Sequence, residues 1–155
     1  MTSQVTQQQQ DVVVEAWINL LRAHAVTTRQ FSAELLAVHG LTLNDFDVLA
    51  QLARAPEKAL KRVDLSERVL LTPSGITRLL KGLEEAGYVS NRPCAEDARV
   101  TYAVLTPEGE KKLAEARATH IADVREVFSE LFSEDELEGL AELLGRIPQR
   151  ELPCD

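Results

Sequence analysis

From Asp11 to His39, apolar residues recur at Val14, Trp17/Ile18, Leu21, Ala25, Phe31, Leu35 and Val38, with no Gly or Pro among them. Steps of three and four predict one amphipathic helix. At 1.5 Å per residue it would reach about 40 Å, more than a small core needs. Gly40 supplies its C-terminal stop. Asn44 can cap a second helix carrying Phe46, Val48, Leu49 and Leu52, which ends before Pro56. Asp64 can cap a short third helix through Leu65 and Val69. Thr72 is placed to cap a fourth, with Pro73 in its first turn and Gly87 as its stop.

The period then changes from 3.6 to 2. Residues 88–92 read as a strand, Pro93 to Asp97 as a polar turn, and Arg99 to Leu105 as a returning strand, so the pair forms a β-hairpin. Thr106 and Pro107 open another long helix with Leu113, Ala116, His120, Ile121, Val124, Val127, Phe128 and Leu131 on one face. Ser133 and Glu136 have capping-box spacing. A final helix places Leu137, Leu140, Leu143, Leu144 and Ile147 inward and stops at Pro148. The expected order is α-α-α-α-β-β-α-α, mainly α with a small β-hairpin. LTPSG at 71–75 and LTPEG at 105–109 precede different kinds of structure, so they read as shared helix-start punctuation and not as an internal repeat.

Two short helices, 64–70 and 73–86, joined by a turn and followed at once by a hairpin, make a winged helix-turn-helix. In that geometry the second helix enters the major groove and its N-terminal residues reach base edges. Ile76, Leu79, Leu80 and Leu83 fall on one face of it, and Ser74, Thr77, Arg78 and Lys81 on the other, with no acid before Glu84. Gly75 keeps the approach open, and the positive end of the helix dipole points where phosphate would sit. A Ser/Thr/Arg mixture is also ordinary for a solvated helix face. In the hairpin turn, Asp97 and Arg99 lie two residues apart on one side of extended chain. A bidentate ion pair there would hold Arg99 outstretched toward a minor groove, although an exposed pair is by itself worth little.

Charge sharpens this picture. The 155 residues carry a net −8, which argues against a nucleic-acid partner until its distribution is considered. Residues 1–57 carry a net −3, residues 58–107 a net +2 from eight bases and six acids, and residues 108–155 a net −7. Phosphate responds to the local field, and the middle segment alone offers a positive face.

The run DLSERVLLTPSGITRLLKGLEEAGYVSNRPCAEDARVTYAVLTPEGEKKL, 64–113, resembles the MarR family of bacterial transcription regulators. The match rests on D-x-R followed by L-T-x-x-G, here Asp97, Arg99, Leu105, Thr106 and Gly109, after a helix ending in LEEAGYV. The likeness extends over roughly residues 11–147. It implies an interleaved helical dimer: 11–39 and 107–147 would form the dimerisation lobe, 40–106 the winged DNA-binding lobe, and 1–10 a disordered tail. It further implies a homodimeric regulator, expected to be a repressor, on a pseudo-palindromic operator of double-stranded DNA. Thr72, Pro73, Ser74, Gly75, Thr77, Arg78 and Lys81 then belong to the recognition helix, and Asp97 and Arg99 to the wing. Relatives commonly carry a second basic residue after the wing motif, where Val100 stands here. Independently, a 29-residue helix and an apolar final pair expose too much apolar area for a monomer.

Family members often bind small aromatic acids where the two lobes meet, so Trp17, His24 and His120 are candidate ligand residues. A urate-responsive branch uses a first-helix Trp with an Asp and Arg residues, a set that Trp17, Asp64 and either Arg92 or Arg99 resembles. Packing in a dimer core is the commoner role for a residue like Trp17, and a surface or core position the commoner one for His24 and His120, while Asp64 doubles as a helix cap. Nothing points to an enzyme: HExxH, a Gly-rich phosphate loop and GxSxG are missing. His24, His39 and His120 have no metal-ligand spacing, so neither metal nor cofactor is expected. No apolar run is long enough to span a membrane, and MTSQVTQQQQ lacks signal-peptide character, so a cytoplasmic protein is expected. Cys94 and Cys154 read as free thiols, with a redox role for Cys94 left open. The competing reading is a winged-helix module for protein–protein contact.

Overall fold

The computed structural model of the chain describes residues 2–69 and 73–147. Helix α1 spans Thr2–His39 and α2 Leu43–Arg54; a 3-10 turn at Pro56–Lys58 leads into strand β1, Ala59–Lys61. Helices α3, Arg62–Arg68, and α4, Pro73–Glu85, precede strands β2, Val89–Pro93, and β3, Thr101–Leu105. The described chain closes with α5, Pro107–Leu131, and α6, Glu134–Gly145. The mainly α winged helix-turn-helix is as the sequence predicts. The wing is larger than a hairpin, because β1 pairs antiparallel with β3 and makes a three-stranded sheet of order β1-β3-β2. Register places Leu60 opposite Ala103, and Arg92 opposite Tyr102.

Several boundaries move for local chemical reasons. Helix α1 starts at Thr2 instead of Asp11, so the stretch expected as a disordered tail is helical from Thr2 onward. Thr42, not Asn44, caps α2: its hydroxyl accepts from the Asp45 N–H at 3.1 Å, and Asp45 accepts the Thr42 N–H at 2.8 Å. This reciprocal box satisfies two otherwise orphaned donors. Asp64 does not cap α3, which begins at Arg62 because β1 runs straight into it; Asp64 sits in the first turn. The predicted Thr72 cap lies outside the described residues, as do Pro148 and Cys154. Thr106 and Ser133 cap α5 and α6 as expected, accepting from Gly109 and Glu136 N–H groups.

One core ties the helices to the sheet. Leu35 of α1, Val48, Leu49 and Leu52 of α2, Leu65 of α3 and Leu80 of α4 are fully buried. Leu83, Ala103, Leu105, Leu113 and Ala116 extend the same cluster beneath the sheet and into α5. Gly87, at φ 80, ends α4 with Tyr88 N–H on Leu83 C=O at 2.9 Å and Gly87 N–H on Glu84 C=O at 3.0 Å. This is the left-handed termination that glycine adopts without penalty. Most of α1 contributes nothing to this core: Val12, Val14, Trp17 and Leu21 are exposed.

Candidate nucleic-acid interface

Helix α4 divides its residues by chemistry. Ile76, Leu80 and Leu83 are buried and Leu79 is half-buried, while Ser74, Thr77, Arg78 and Lys81 are exposed and Gly75 is half-buried. Burial of the apolar face fixes which side chains are presented, at about 1.5–3 kcal/mol per enclosed aliphatic residue. Pro73 opens the helix, and the first turn holds no acid. Lys81 Nζ lies 3.9 Å from Glu85 Oε1, with both side chains well exposed, a spacing that leaves the lysine free to turn to another anion.

The wing sits beside this helix. Its turn is closed by Cys94 N–H on Val100 C=O at 2.9 Å and Val100 N–H on Asp97 C=O at 3.0 Å. Asp97 and Arg99 are brought together, but not as the expected bidentate fork. One carboxylate oxygen, Asp97 Oδ1, accepts the Arg99 backbone N–H at 3.0 Å and faces Nε at 3.4 Å. The carboxylate thus fixes the backbone of the tip more firmly than the guanidinium, and the Arg99 side chain is 92% exposed. Cys94 is a half-buried free thiol at the base of this turn.

Wing and helix are joined through Thr106. Its hydroxyl donates to Gly87 C=O at 2.6 Å and accepts the Gly109 N–H at 3.0 Å, while its N–H bonds Tyr88 C=O at 3.1 Å. The end of α4, the entry to β2 and the start of α5 therefore meet at one residue.

Candidate ligand residues fall in separate places. Asp64 and Arg92 share a cavity of about 350 Å³ with Glu57 and Tyr102; Arg92 bonds Glu57 at 3.2 Å and lies over the Tyr102 ring at 5.4 Å. His24 lines a groove along α1 and a larger one of about 690 Å³ between α1 and the α5–α6 pair. Trp17 is 59% exposed and lines none of these three spaces. His120 packs edge-on between Phe31 and Phe46, and burial pushes its pKa below 6.5, opposed by the nearby Asp123.

Sequence reasoning missed the turn at Glu57 and Lys58. Both take left-handed backbone, φ 53 and 54, without being glycine. Glu57 pairs with Arg92 of β2, and Lys58 with Glu110 of α5. It also missed the pair between Arg62 of α3 and Glu84 of α4. Neither has a periodic signal in the sequence; each depends on which helix ends the fold brings together. Among the described residues, no helix is long and apolar enough to cross a membrane, and no three His, Cys, Asp or Glu side chains converge as a metal site.

Comparison with known proteins places this geometry. A family model described as MarR family matches residues 39–100. An uncharacterized HTH-type transcriptional regulator of Bacillus cereus is 31% identical over 141 residues, covering 88% of this chain and 92% of the relative. The HTH-type transcriptional repressor YetL of Bacillus subtilis is 32% identical over 114 residues, covering 74% of this chain and 68% of its own. The fold is shared with Sco3205 of Streptomyces coelicolor, a MarR family transcriptional regulator solved in complex with DNA. That likeness has a TM-score of 0.79 at 22% identity, over 90% of this chain and 88% of the other.

Proposed function

The chain belongs to the MarR family of helix-turn-helix transcriptional regulators, and from that membership we propose that it is a homodimeric, DNA-binding repressor tuned by a small aromatic acid. The observation that carries the reading is α4: a buried apolar face locks an exposed strip of Ser74, Thr77, Arg78 and Lys81 outward, beside an Arg99 that reaches into solvent. In this reading α4 enters the major groove N-terminus first. Arg78 offers the planar fork that matches guanine O6 and N7. Lys81 and the helix dipole meet phosphate, Gly75 keeps the approach free of a side chain, and Thr72 and Pro73 complete the candidate set at the helix start. Arg99 follows the minor groove, with Asp97 fixing the tip that carries it. Residues 40–106 are the reading lobe; 11–39 and 107–147 pair two copies.

Repression follows from occupancy of promoter DNA, and YetL, named as a repressor, supports that direction. The aromatic acid would act by changing the spacing of the two reading heads. Asp64, Arg92 and their cavity are the candidate site nearest the wing, with Trp17, His24 and His120 as candidates on the stalk.

The test uses the duplex that the wild-type chain enriches from a random-sequence pool. Affinity is expected to fall steeply with salt, each neutralised phosphate adding about 0.9 to the log–log slope. Arg78→Ala should cost about 1–3 kcal/mol and relax the preference at one base position. Arg99→Ala should weaken binding with less change in preference. If both variants bind like wild type, α4 and the wing are not the reading elements; with no salt dependence either, the protein-contact module becomes the better account.

A further inference from the structure

We propose that Arg62 and Glu84 are positioning residues for α4: their ion pair closes the open end of the angle between α3 and α4 and fixes how the recognition helix is presented. The proposal rests on the reading of α4 as the DNA-contacting helix. The two helices are joined across residues 69–72, so Arg62, first in α3, and Glu84, next to last in α4, stand at the ends remote from the joint. Arg62 Nη2 donates to Glu84 Oε1 at 2.6 Å. Chain connectivity joins the two helices at one end, and the ion pair joins them at the other.

Three observations set this pair apart. Its side chains are 30% and 26% exposed, whereas in every other ion pair among the described residues both partners are at least 42% exposed. Arg62 Nε is enclosed without a bonding partner among the described residues, so the guanidinium depends on Glu84 for its orientation. Third, both charges oppose the helix dipoles: a cation at the start of α3 and an anion at the end of α4. Helix stability alone would select the reverse arrangement. What the arrangement supplies is a tie between the helices and neutralisation of an acid on the element that must approach phosphate.

The lever is long enough to matter. From Pro73 to Glu84 the helix rises about 17 Å, so a pivot of roughly 10° about the turn moves its far end by about 3 Å. Scaled to its distance from the pivot, Lys81 would shift by about 2 Å and Arg78 by about 1.3 Å, enough to misalign a base contact.

The test compares the enriched duplex with a scrambled duplex of the same composition at one salt concentration. Glu84→Gln removes an acid, so electrostatics alone would tighten binding to both duplexes. A positioning role instead lowers the ratio of specific to scrambled affinity, by about tenfold for Glu84→Gln and for Arg62→Gln. The exchange Arg62→Glu with Glu84→Arg keeps net charge, rebuilds the pair and suits both helix dipoles, so it should fold and restore the ratio to within about threefold of wild type. Unchanged ratios in both single variants, or no recovery in the exchange, overturn the proposal when Arg78→Ala still collapses the ratio. An Arg78→Ala variant that also keeps the ratio overturns the reading of α4 instead, and this inference with it.

Discussion

Gly109 lies buried in the first turn of α5, against the entry of β2. A Cβ there would run into the Tyr88 carbonyl oxygen and stand 2.8 Å from Leu105 Cδ1. The same carbonyl accepts the Thr106 N–H, so it cannot retreat without losing a bond. Gly109→Ala is therefore expected to destabilise the chain by about 1–3 kcal/mol, read as a lower midpoint in urea with the transition slope unchanged. A midpoint equal to wild type would mean the joint has room that this packing denies. Both LTP-x-Gly stretches place their proline at the first residue of a helix, in different surroundings. In the second, Thr106 knots three elements and Gly109 permits close docking; in the first, exposed Ser74 and half-buried Gly75 open toward solvent.

Helices α1, α2 and α5 meet at His120. Its ring lies 5.4 Å from Phe31 and 5.2 Å from Phe46, both edge-on, and its Nδ1 is enclosed without a partner among the described residues. Burial depresses its folded pKa below the ordinary 6.5, with Asp123 opposing. The unfolded chain then binds the proton more readily than the folded one. Stability is fully present above pH 6.5 and declines as pH falls through the lower folded value. Replacing the imidazole by an apolar ring, His120→Phe, removes this dependence while keeping the packing. Melting temperatures taken from about pH 7.5 down to about 5 should fall less for the variant than for wild type. Parallel curves would show that His120 does not titrate against folding. The joint also shows what the sequence could disclose. Periodicity placed all six α-helices, and Ser133 with Glu136 announced its own capping box. Strand β1 escaped, because three residues between Pro56 and a helix give no alternation, and the left-handed turn before it uses Glu57 and Lys58 where glycine would have signalled it. Thr42 and Asn44 are both good caps and each has an Asp three residues on, Asp45 and Asp47, so local spacing does not choose between them; the fold closes the Thr42–Asp45 box. The bidentate wing pair failed similarly: spacing put Asp97 and Arg99 on one side, but the carboxylate was claimed first by the nearer backbone N–H.

Charge and apolar surface are sorted along the molecule. Most of the net −8 comes from residues 108–155, at −7, whereas residues 58–107, which include α4 and the wing, carry +2, so overall charge is a poor guide to the field beside α4. Helix α1 and the α5–α6 pair leave apolar area uncovered. Val26 on α1, and Leu131, Phe132 and Leu144 on the α5–α6 pair, are 38–66% exposed and line a groove of about 690 Å³ between them. A patch of that kind on one copy is what isologous pairing about a two-fold axis covers. The wild-type chain should then sediment at twice 17.2 kDa. Leu131→Glu combined with Leu144→Glu places two carboxylates in the groove and should shift the mass to that of a single chain, with the circular-dichroism signature of the winged lobe retained. Because a dimer presents its second reading head at high effective concentration, the same variant should lose about 10²- to 10⁴-fold in affinity for a two-half-site duplex. Its affinity for a single half-site should change little. Those half-sites should lie about 34 Å apart, centre to centre, and inserting half a helical turn between them should weaken the wild type as much as the double substitution does. A wild-type chain that sediments as one copy at micromolar concentration would sink the pairing and the spacing rule together.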